Sequence, residues 1–203
     1  MRLFQKIVFS FLLFCSFSLT ALTLEQLQQQ LMMQQILRGD FSQSKTLQMF
    51  NQPLLSDGAF LLSQQQGLIW RQHNPFPVVL VLAKDKLRQQ FEGQDAAVID
   101  AQDNPMVFYF SHFFLSLFKG DLSALESQFS LSLTANKKGH WRLHLEPKQP
   151  PLNNIFKYID IEGENQIQRL TLIELKGDSS VINFTNVRQQ TQLSPQDKDA
   201  FEF

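Results

Sequence analysis

The spacing of apolar positions along the chain first has the period of an amphipathic helix. Apolar residues recur every three to four positions among glutamines, which is typical of one buried helical face. These residues are Leu24, Leu27, Leu31, Met33 and Ile36. Thr23 precedes them as an N-cap candidate, and Gly39 follows as a stop. The pattern therefore predicts a first helix that ends before Gly39.

Most of the remaining chain consists of short apolar runs separated by turn residues, which is typical of antiparallel strands. Six such runs precede the centre of the chain, at residues 40–49, 58–63, 67–72, 78–83, 87–91 and 96–99. Five more lie in the last third, at residues 129–134, 140–146, 156–162, 167–175 and 179–187. We therefore predict about eleven strands in a meander, followed by a polar C-terminal stretch.

An apolar segment at residues 106–118 separates the two sets of strands. Pro105 opens it and Gly120 follows it, and a Pro at the start with a Gly past the end frames a helix. Its phenylalanines, which occupy more than one helical face, are Phe108, Phe110, Phe113, Phe114 and Phe118. Such a helix is expected to be buried within a curved sheet. A second, shorter helix is predicted at residues 122–129.

The number of strands constrains the architecture, because open sheets of more than about ten strands tend to curl. We predict an α+β, mostly β fold: an incomplete antiparallel β-barrel with the aromatic helix as a plug or lid. No long linker interrupts residues 22–203, which are therefore assigned to one domain.

The N-terminus has the order of a secretory signal peptide. Arg2 and Lys6 precede an apolar run over residues 7–17, and Ala21 follows a short stretch of small and apolar residues. The run is shorter than the roughly 20 residues that a membrane-spanning helix needs. Residues 1–21 are therefore predicted to be a signal peptide that is removed on export.

Removal of this segment would exclude several classes of function. It contains Cys15, the only cysteine, so disulfides, thiolate catalysis and Cys-ligated metals would all be absent. It also contains two of the 18 basic residues, which leaves 16 against 19 acidic residues and a net charge of −3. With no basic block in the sequence, nucleic acid is not expected to be a partner.

The candidate catalytic and metal-binding residues do not form a convincing centre. His140 and His144 lie in an extended run, where their Cα atoms would be about 13 Å apart, too far to share a metal. Asp160 and Glu162 would share a strand face, but we expect them to be solvated edge charges. Nucleophile-elbow, phosphate-loop and dinucleotide motifs are missing from the sequence. We predict neither an enzyme nor a cofactor.

Three short motifs resemble the LolA family of periplasmic lipoprotein carriers. Their residues here are Phe41, Gln43 and Lys45, then Gly58, Phe60 and Leu62, then Leu68, Ile69, Trp70 and Pro75. The first corresponds to the Phe-x-Gln-x-Lys pattern of that family. The last corresponds to its Phe-x-Trp pattern, followed by Pro at the same interval. The aromatic helix falls where the family has its helical plug.

The resemblance implies a monomeric periplasmic carrier whose apolar cavity shields the acyl chains of lipoproteins in transit from the inner to the outer membrane. It implies as partners an inner-membrane release complex and an outer-membrane receptor. The residues that we expect to contact the acyl chains are Phe41, Phe60, Leu62, Leu68, Trp70, Val79, Val81, Phe110, Phe113 and Phe114. Phenylalanine suits such a lining because it offers a large area without a hydrogen-bonding demand.

Departures from the family pattern leave two alternatives open. Gln64 and Gln65 stand where many members have arginine and proline, and Leu68 replaces the family phenylalanine. Lys84 and Asp85 lie in the region where an Asp-Gly turn is expected. The first alternative is a carrier of another envelope lipid or glycolipid. The second is an envelope hydrolase or binding module that depends on one of its histidines, His112, His140 or His144.

Overall fold

Within the part of the chain that the structure describes, eleven strands form one antiparallel sheet, as the sequence predicts. The computed structural model describes residues 22–83, 86–100 and 105–203, and for residues 105–111 it describes the backbone only. The predicted signal segment, with Cys15, lies outside the described residues, as do Lys84 and Asp85. The strands are β1 (Ile36–Thr46), β2 (Leu54–Ser63), β3 (Gly67–Asn74), β4 (Val78–Ala83), β5 (Lys86–Phe91), β6 (Ala97–Asp100), β7 (Phe129–Ala135), β8 (Trp141–Pro147), β9 (Phe156–Gly163), β10 (Ile167–Glu174) and β11 (Ser179–Gln189).

The sheet consists of two meanders joined along one pair of strands. Strands β1 to β6 follow one another in space, as do β7 to β11, and β1 pairs with β11 between the two sets. Strands β6 and β7 are the two edges and do not pair with each other, so the barrel stays open. This topology agrees with the predicted incomplete barrel.

In the described residues, four α-helices accompany the sheet: α1 (Leu24–Met32), α2 (Pro105–Lys119), α3 (Leu122–Gln128) and α4 (Pro195–Ala200). Thr23 caps α1 as predicted, since its hydroxyl accepts a hydrogen bond from the Gln26 backbone N–H at 3.2 Å. Helix α2 begins at the predicted proline, and α2 and α3 lie between β6 and β7 along the chain. In the part of the chain that the structure describes, no helix has the length and apolar character needed to cross a membrane.

The predicted start of the sheet was wrong by several residues. Helix α1 ends at Met32, and Ile36, which was assigned to its apolar face, instead begins β1. Gly39 lies within β1, at a bulge in the pairing with β11. A Cβ atom there would lie 2.9 Å from the Thr185 carbonyl oxygen, so Gly39 permits a close approach of strands rather than ending a helix.

The two faces of the sheet carry different hydrophobic cores. The inner face packs against α1, α2 and α3, with residues such as Leu27, Phe118 and Leu125 buried against strand residues such as Phe60. The outer face carries a smaller core, in which Leu61, Ile69, Val81, Ala83 and Phe201 are buried. Helix α4, which the sequence did not predict, brings Phe201 onto this outer core. The inner face therefore has the helices needed to enclose a cavity.

Candidate functional site

A cavity of about 560 Å³ lies on the inner face of the sheet, beside α2 and a short 3₁₀ helix, Leu152–Asn154. Its volume falls within the roughly 300–1,000 Å³ that is typical of ligand-binding pockets. Of the fifteen lining residues whose side chains the structure describes, eleven are apolar: Leu68, Trp70, Leu80, Leu82, Leu87, Phe114, Leu152, Ile155, Phe156, Leu172 and Ile182. The four polar lining residues are Gln43, Lys45, Glu174 and Ser180.

The strand alternation explains which residues reach the cavity. Side chains two positions apart share a face, so Leu68 and Trp70 both point inward while Ile69 points to the outer core. The antiparallel pairing sets Leu82 opposite Leu68 and Leu80 opposite Trp70. Two neighbouring strands thus supply a continuous apolar wall.

An aromatic cluster forms the inner-face core next to this wall. The Trp70 ring stacks on Phe41 with ring centroids 3.6 Å apart, and the Phe184 ring meets Phe60 edge to face at 5.3 Å. Phe118 of α2 lies 5.6 Å from Phe184, also edge to face. Edge-to-face pairs of this kind are favourable beyond the area that they bury. The cluster therefore ties α2 to the sheet on the side of the cavity.

The nine predicted acyl-contact residues whose side chains the structure describes fall into three groups. Leu68, Trp70 and Phe114 line the cavity. Phe41, Phe60, Leu62 and Phe113 are buried in the inner core and do not line the cavity as it stands. The Phe110 side chain lies outside what the structure describes.

Val79 and Val81, the third group, are a correction to the predicted lining. Val81 is fully buried in the outer core and Val79 packs against the same core, on the far side of the sheet from the cavity. The apolar run from Val78 to Leu82 gives no alternation that identifies the inner face. The hairpin register does, because Leu80 and Leu82 pair with Trp70 and Leu68. Projecting the inward face of β3 across this hairpin would have identified Leu80 and Leu82.

Other lining residues come from parts of the chain that sequence reasoning did not connect with the site. Leu152, Ile155 and Phe156 belong to the 3₁₀ helix and the start of β9, and Leu172 and Ile182 to β10 and β11. They meet β3 and β4 only because the second meander joins the first through the β1–β11 pair. No local sequence motif predicts such a contact between distant parts of the chain.

The polar residues of the cavity lie toward one end of the sheet. Lys45 is the penultimate residue of β1, Glu174 is the last residue of β10, and Ser180 of β11 pairs with Lys45. Among the described residues, no hydrogen bond or ion pair engages the side chains of Gln43, Lys45, Glu174 or Ser180. These four side chains are therefore available to an occupant of the cavity.

Exposed apolar side chains surround the same end of the sheet. The β1–β2 connection and the start of β2 carry Met49, Phe50, Leu54 and Leu55, and the β10–β11 turn carries Leu175. Met49 and Leu55 are exposed by 81% and 67%, respectively. The Gln48 backbone N–H donates to the Asp178 carboxylate at 2.9 Å, which holds the two turns together. We call these five residues the apolar rim.

The two histidines that the sequence analysis places too far apart to share a metal, His140 and His144, each pair with a carboxylate on the outer face. His144 Nδ1 lies 2.6 Å from Asp160 Oδ1, and His140 Nε2 lies 2.8 Å from Glu164 Oε1. The hydrogen bond with Asp160, against the opposing effect of burial, raises the pKa of the His144 imidazole. The described residues contain no cluster of three or more His, Cys, Asp or Glu that could hold a metal ion.

The prediction that Asp160 and Glu162 are solvated edge charges was wrong. Their strand, β9, lies between β8 and β10 inside the sheet. Asp160 pairs with His144, and Glu162 accepts a hydrogen bond from Arg142 Nε at 2.6 Å. Each carboxylate therefore has a basic partner on the neighbouring strand, an arrangement that ties β8 to β9.

The family of the chain follows from comparison with known families. Residues 33–203 match the model of the family described as outer membrane lipoprotein carrier protein LolA. The match covers nearly the whole described structure, and the chain belongs to this family. It agrees with the resemblance carried by the three sequence motifs. A search of curated proteins found no match.

The solved structures that match the chain have low sequence identity to it. The MucA/MucB complex from Pseudomonas aeruginosa contains a chain that is 15% identical, with a TM-score of 0.50; the alignment covers 89% of this chain and 59% of that one. A LolA superfamily protein from Nitrosomonas europaea is 9% identical, with a TM-score of 0.47, and the alignment covers 87% and 97% of the two chains. A putative outer membrane lipoprotein-sorting protein domain from Vibrio parahaemolyticus is 10% identical, with a TM-score of 0.48 and coverage of 89% and 97%.

Proposed function

We propose that this protein is a periplasmic carrier that shields the acyl chains of lipoproteins in transit from the inner to the outer membrane. The observation that carries the proposal is the apolar cavity of about 560 Å³ between the inner face and α2. Membership of the LolA family supports a lipoprotein as the cargo. The predicted signal peptide at residues 1–21 supports the periplasm as the location.

The physical requirement for such a carrier is an apolar surface that replaces the membrane around the chain. Transfer of an acyl chain into water costs about 0.8 kcal/mol for each methylene. Walls of leucine, isoleucine, phenylalanine and tryptophan offset that cost without offering polar groups to the chain. Phe114 of α2 forms part of the lining, so a movement of α2 would enlarge or close the cavity.

The apolar rim suits transfer of the chain at the polar end of the cavity. An acyl chain that leaves a membrane or a partner protein there would pass exposed apolar side chains such as Phe50 and Leu175. This continuity shortens the path through water. A release complex and a receptor are the proposed partners, and they would engage the protein at this end.

A second candidate is a carrier of another envelope lipid, and Gln64 favours it. The Gln64 side-chain amide donates to the carbonyl oxygens of Met32 and Gln34, at 3.2 and 3.3 Å. It therefore fastens the end of α1 to β2 at the position where many family members have arginine. A function that depends on that arginine would differ in this chain. We propose no catalytic role for any residue in either case.

Native mass spectrometry of the periplasmic protein tests both candidates. Leu68→Glu places a charge on the cavity wall, whereas Met33→Glu places one at a position that is 70% exposed beside α1 and serves as the control. We expect an acylated ligand on the wild type and on Met33→Glu, and its loss from a folded Leu68→Glu. The mass of the ligand distinguishes a lipoprotein from a free lipid. Wild-type protein that carries no ligand and binds no apolar probe would contradict both candidates.

A further inference from the structure

The four polar side chains of the cavity lie at one end of an otherwise apolar wall. Lys45 of β1 stands opposite Ser180 of β11, which stands opposite Leu172 of β10. Glu174 lies two residues further along β10 and therefore on the same face as Leu172. Gln43 precedes Lys45 by two positions and shares its face. A cation, a carboxylate, an amide and a hydroxyl thus face one space.

The two charged side chains do not neutralise each other. Lys45 and Glu174 form no ion pair within 4 Å in the described structure, with each other or with another residue. From the register, their Cα atoms are separated by two strand spacings and two residues, about 12 Å. Both side chains are partly buried, and both line the cavity. The gap between them is open to a group that brings one charge of each sign.

We propose that the polar end binds a zwitterionic lipid headgroup, with its anionic group at Lys45 and its cationic group at Glu174, while its acyl chain occupies the apolar part of the cavity. A phosphoethanolamine headgroup has this chemistry. Ser180 and Gln43 supply hydrogen bonds to its phosphate oxygens. This inference rests on the second candidate of the proposed function, a carrier of another envelope lipid, because it requires that the cavity accept the acyl chain of a phospholipid.

Desolvation is the reason that the charge pattern discriminates among headgroups. An occupant displaces water from Lys45 and Glu174, and a charge that loses its water without gaining a partner is costly. A zwitterion provides a partner for both charges. A purely anionic headgroup leaves Glu174 unpaired and repelled, and a neutral headgroup leaves both charges unpaired. The cavity is therefore expected to prefer the zwitterion.

Equilibrium binding to the full chain tests the headgroup assignment. In the assay, the protein is loaded with an apolar fluorescent probe, and each amphiphile is titrated below its own micellar concentration to displace the probe from the cavity. The three amphiphiles have equal acyl length: lysophosphatidylethanolamine, lysophosphatidic acid and the corresponding fatty alcohol. We expect the wild type to bind the first about tenfold more tightly than the other two, which corresponds to one charge-assisted hydrogen bond.

Two charge-removing variants separate the roles of the residues. Lys45→Met should weaken binding of the zwitterionic amphiphile about tenfold and leave the alcohol unaffected or improved. Glu174→Gln should remove the preference for the zwitterion over the anionic amphiphile. Lys176→Met is the matched control, because Lys176 is exposed in the β10–β11 turn and does not line the cavity. It should behave as the wild type.

The possible outcomes distinguish this inference from the proposed function. If the wild type binds all three amphiphiles equally, and Lys45→Met and Glu174→Gln change nothing, the headgroup assignment is overturned while the acyl cavity stands. If none of the three displaces the probe from the wild type, the carrier function fails and the headgroup assignment fails with it. The assignment is supported if Lys45→Met abolishes the preference for the zwitterion over the alcohol, Glu174→Gln abolishes its preference over the anionic amphiphile, and Lys176→Met keeps both preferences.

Discussion

The rings of Phe41 and Trp70 stack on the inner face with centroids 3.6 Å apart, although β2 runs between their strands. Gly58 of β2 pairs with Phe41 and makes this contact possible. A Cβ atom at Gly58 would lie 2.8 Å from Phe41 Cε1 and would also collide with the Arg71 carbonyl oxygen. Because Gly58 has no side chain, the rings of Phe41 and Trp70 can contact each other across β2.

Gly58→Ala should therefore destabilise the protein and displace the Trp70 ring. We expect a loss of about 1–3 kcal/mol in the free energy of unfolding, since the extra methyl group meets backbone atoms that cannot move away freely. Denaturant unfolding measures this loss, and tryptophan fluorescence reports the ring. Ser42→Ala, at an exposed position of β1, is the control. Stability and fluorescence equal to the wild type would refute this account of the Phe41–Trp70 contact.

Val81 and Leu80 are neighbours in sequence but lie on opposite faces of the sheet, Val81 in the outer core and Leu80 on the cavity wall. Val81→Ala removes two methyl groups from the outer core and should cost about 0.5–3 kcal/mol of stability without changing binding of an apolar probe. Leu80→Ala alters the cavity wall and should change probe affinity. Thermal unfolding and probe titration of both variants compare the two effects. If probe affinity changed in the Val81 variant alone, the ligand would contact the outer face of the sheet, and our assignment of the inner face as the binding face would be contradicted.

The paired His144 should make stability depend on pH. Its hydrogen bond with Asp160, partly opposed by burial and assisted by Glu146 at 3.4 Å, raises the pKa of the imidazole above its ordinary 6.5. A raised pKa contributes stability that is fully present below the ordinary value and is lost as the pH rises through the folded-state value. The melting temperature should therefore decrease between about pH 5.5 and pH 8 more in the wild type than in His144→Gln.

The control for this pH experiment is His73→Gln, since His73 is exposed at the end of β3. Its melting temperature should follow the wild-type pH profile. Equal pH profiles for the wild type and His144→Gln would show that the contact with Asp160 contributes no pH-dependent stability.

Asp197 should anchor α4 to the outer face. Burial alone would raise the pKa of its carboxyl, but hydrogen bonds from Ser194 and from Arg38, at 2.5 Å, outweigh burial and lower the pKa. The stabilisation is therefore present above the ordinary value of 3.8 and is lost as the pH falls through the folded-state value. Asp197→Ala should lower the free energy of unfolding by about 1–3 kcal/mol, because Arg38 and the helix N-terminus lose their acceptor.

Amide hydrogen exchange of the last ten residues measures this anchoring locally. We expect these amides to exchange faster in Asp197→Ala than in the wild type. Asp199→Ala, on the exposed side of α4, should leave the exchange unchanged. If both variants exchange like the wild type, the contact between Arg38 and Asp197 does not hold α4. Faster exchange in both would indicate that the composition of α4, rather than this contact, sets its stability.

The fold was largely predictable because its elements are encoded locally. Period-two apolar runs and turn residues located all eleven strands, and the Pro105 and Gly120 boundaries framed α2. The errors lay where local signals were weak. Ile36 fits both a helical and a strand pattern, and the six residues of α4 carry almost no apolar periodicity. Only their packing on the outer core decides these segments.

The amino-acid sequence by itself determined the strand number, the aromatic helix and the family, because each depends on the order and spacing of residues along the chain. The tertiary structure decided which apolar residues line a cavity and which fill a core. Trp70 lines the cavity while its stacking partner Phe41 is buried beside it, and Val81 faces the other side of the sheet. The hydrophobic effect places an apolar side chain away from water both in a filled core and on the wall of a cavity. Hydrophobicity along the sequence therefore does not distinguish a core residue from a lining residue. Strand register and the joining of the two meanders distinguish the two outcomes, and these depend on contacts between distant parts of the chain.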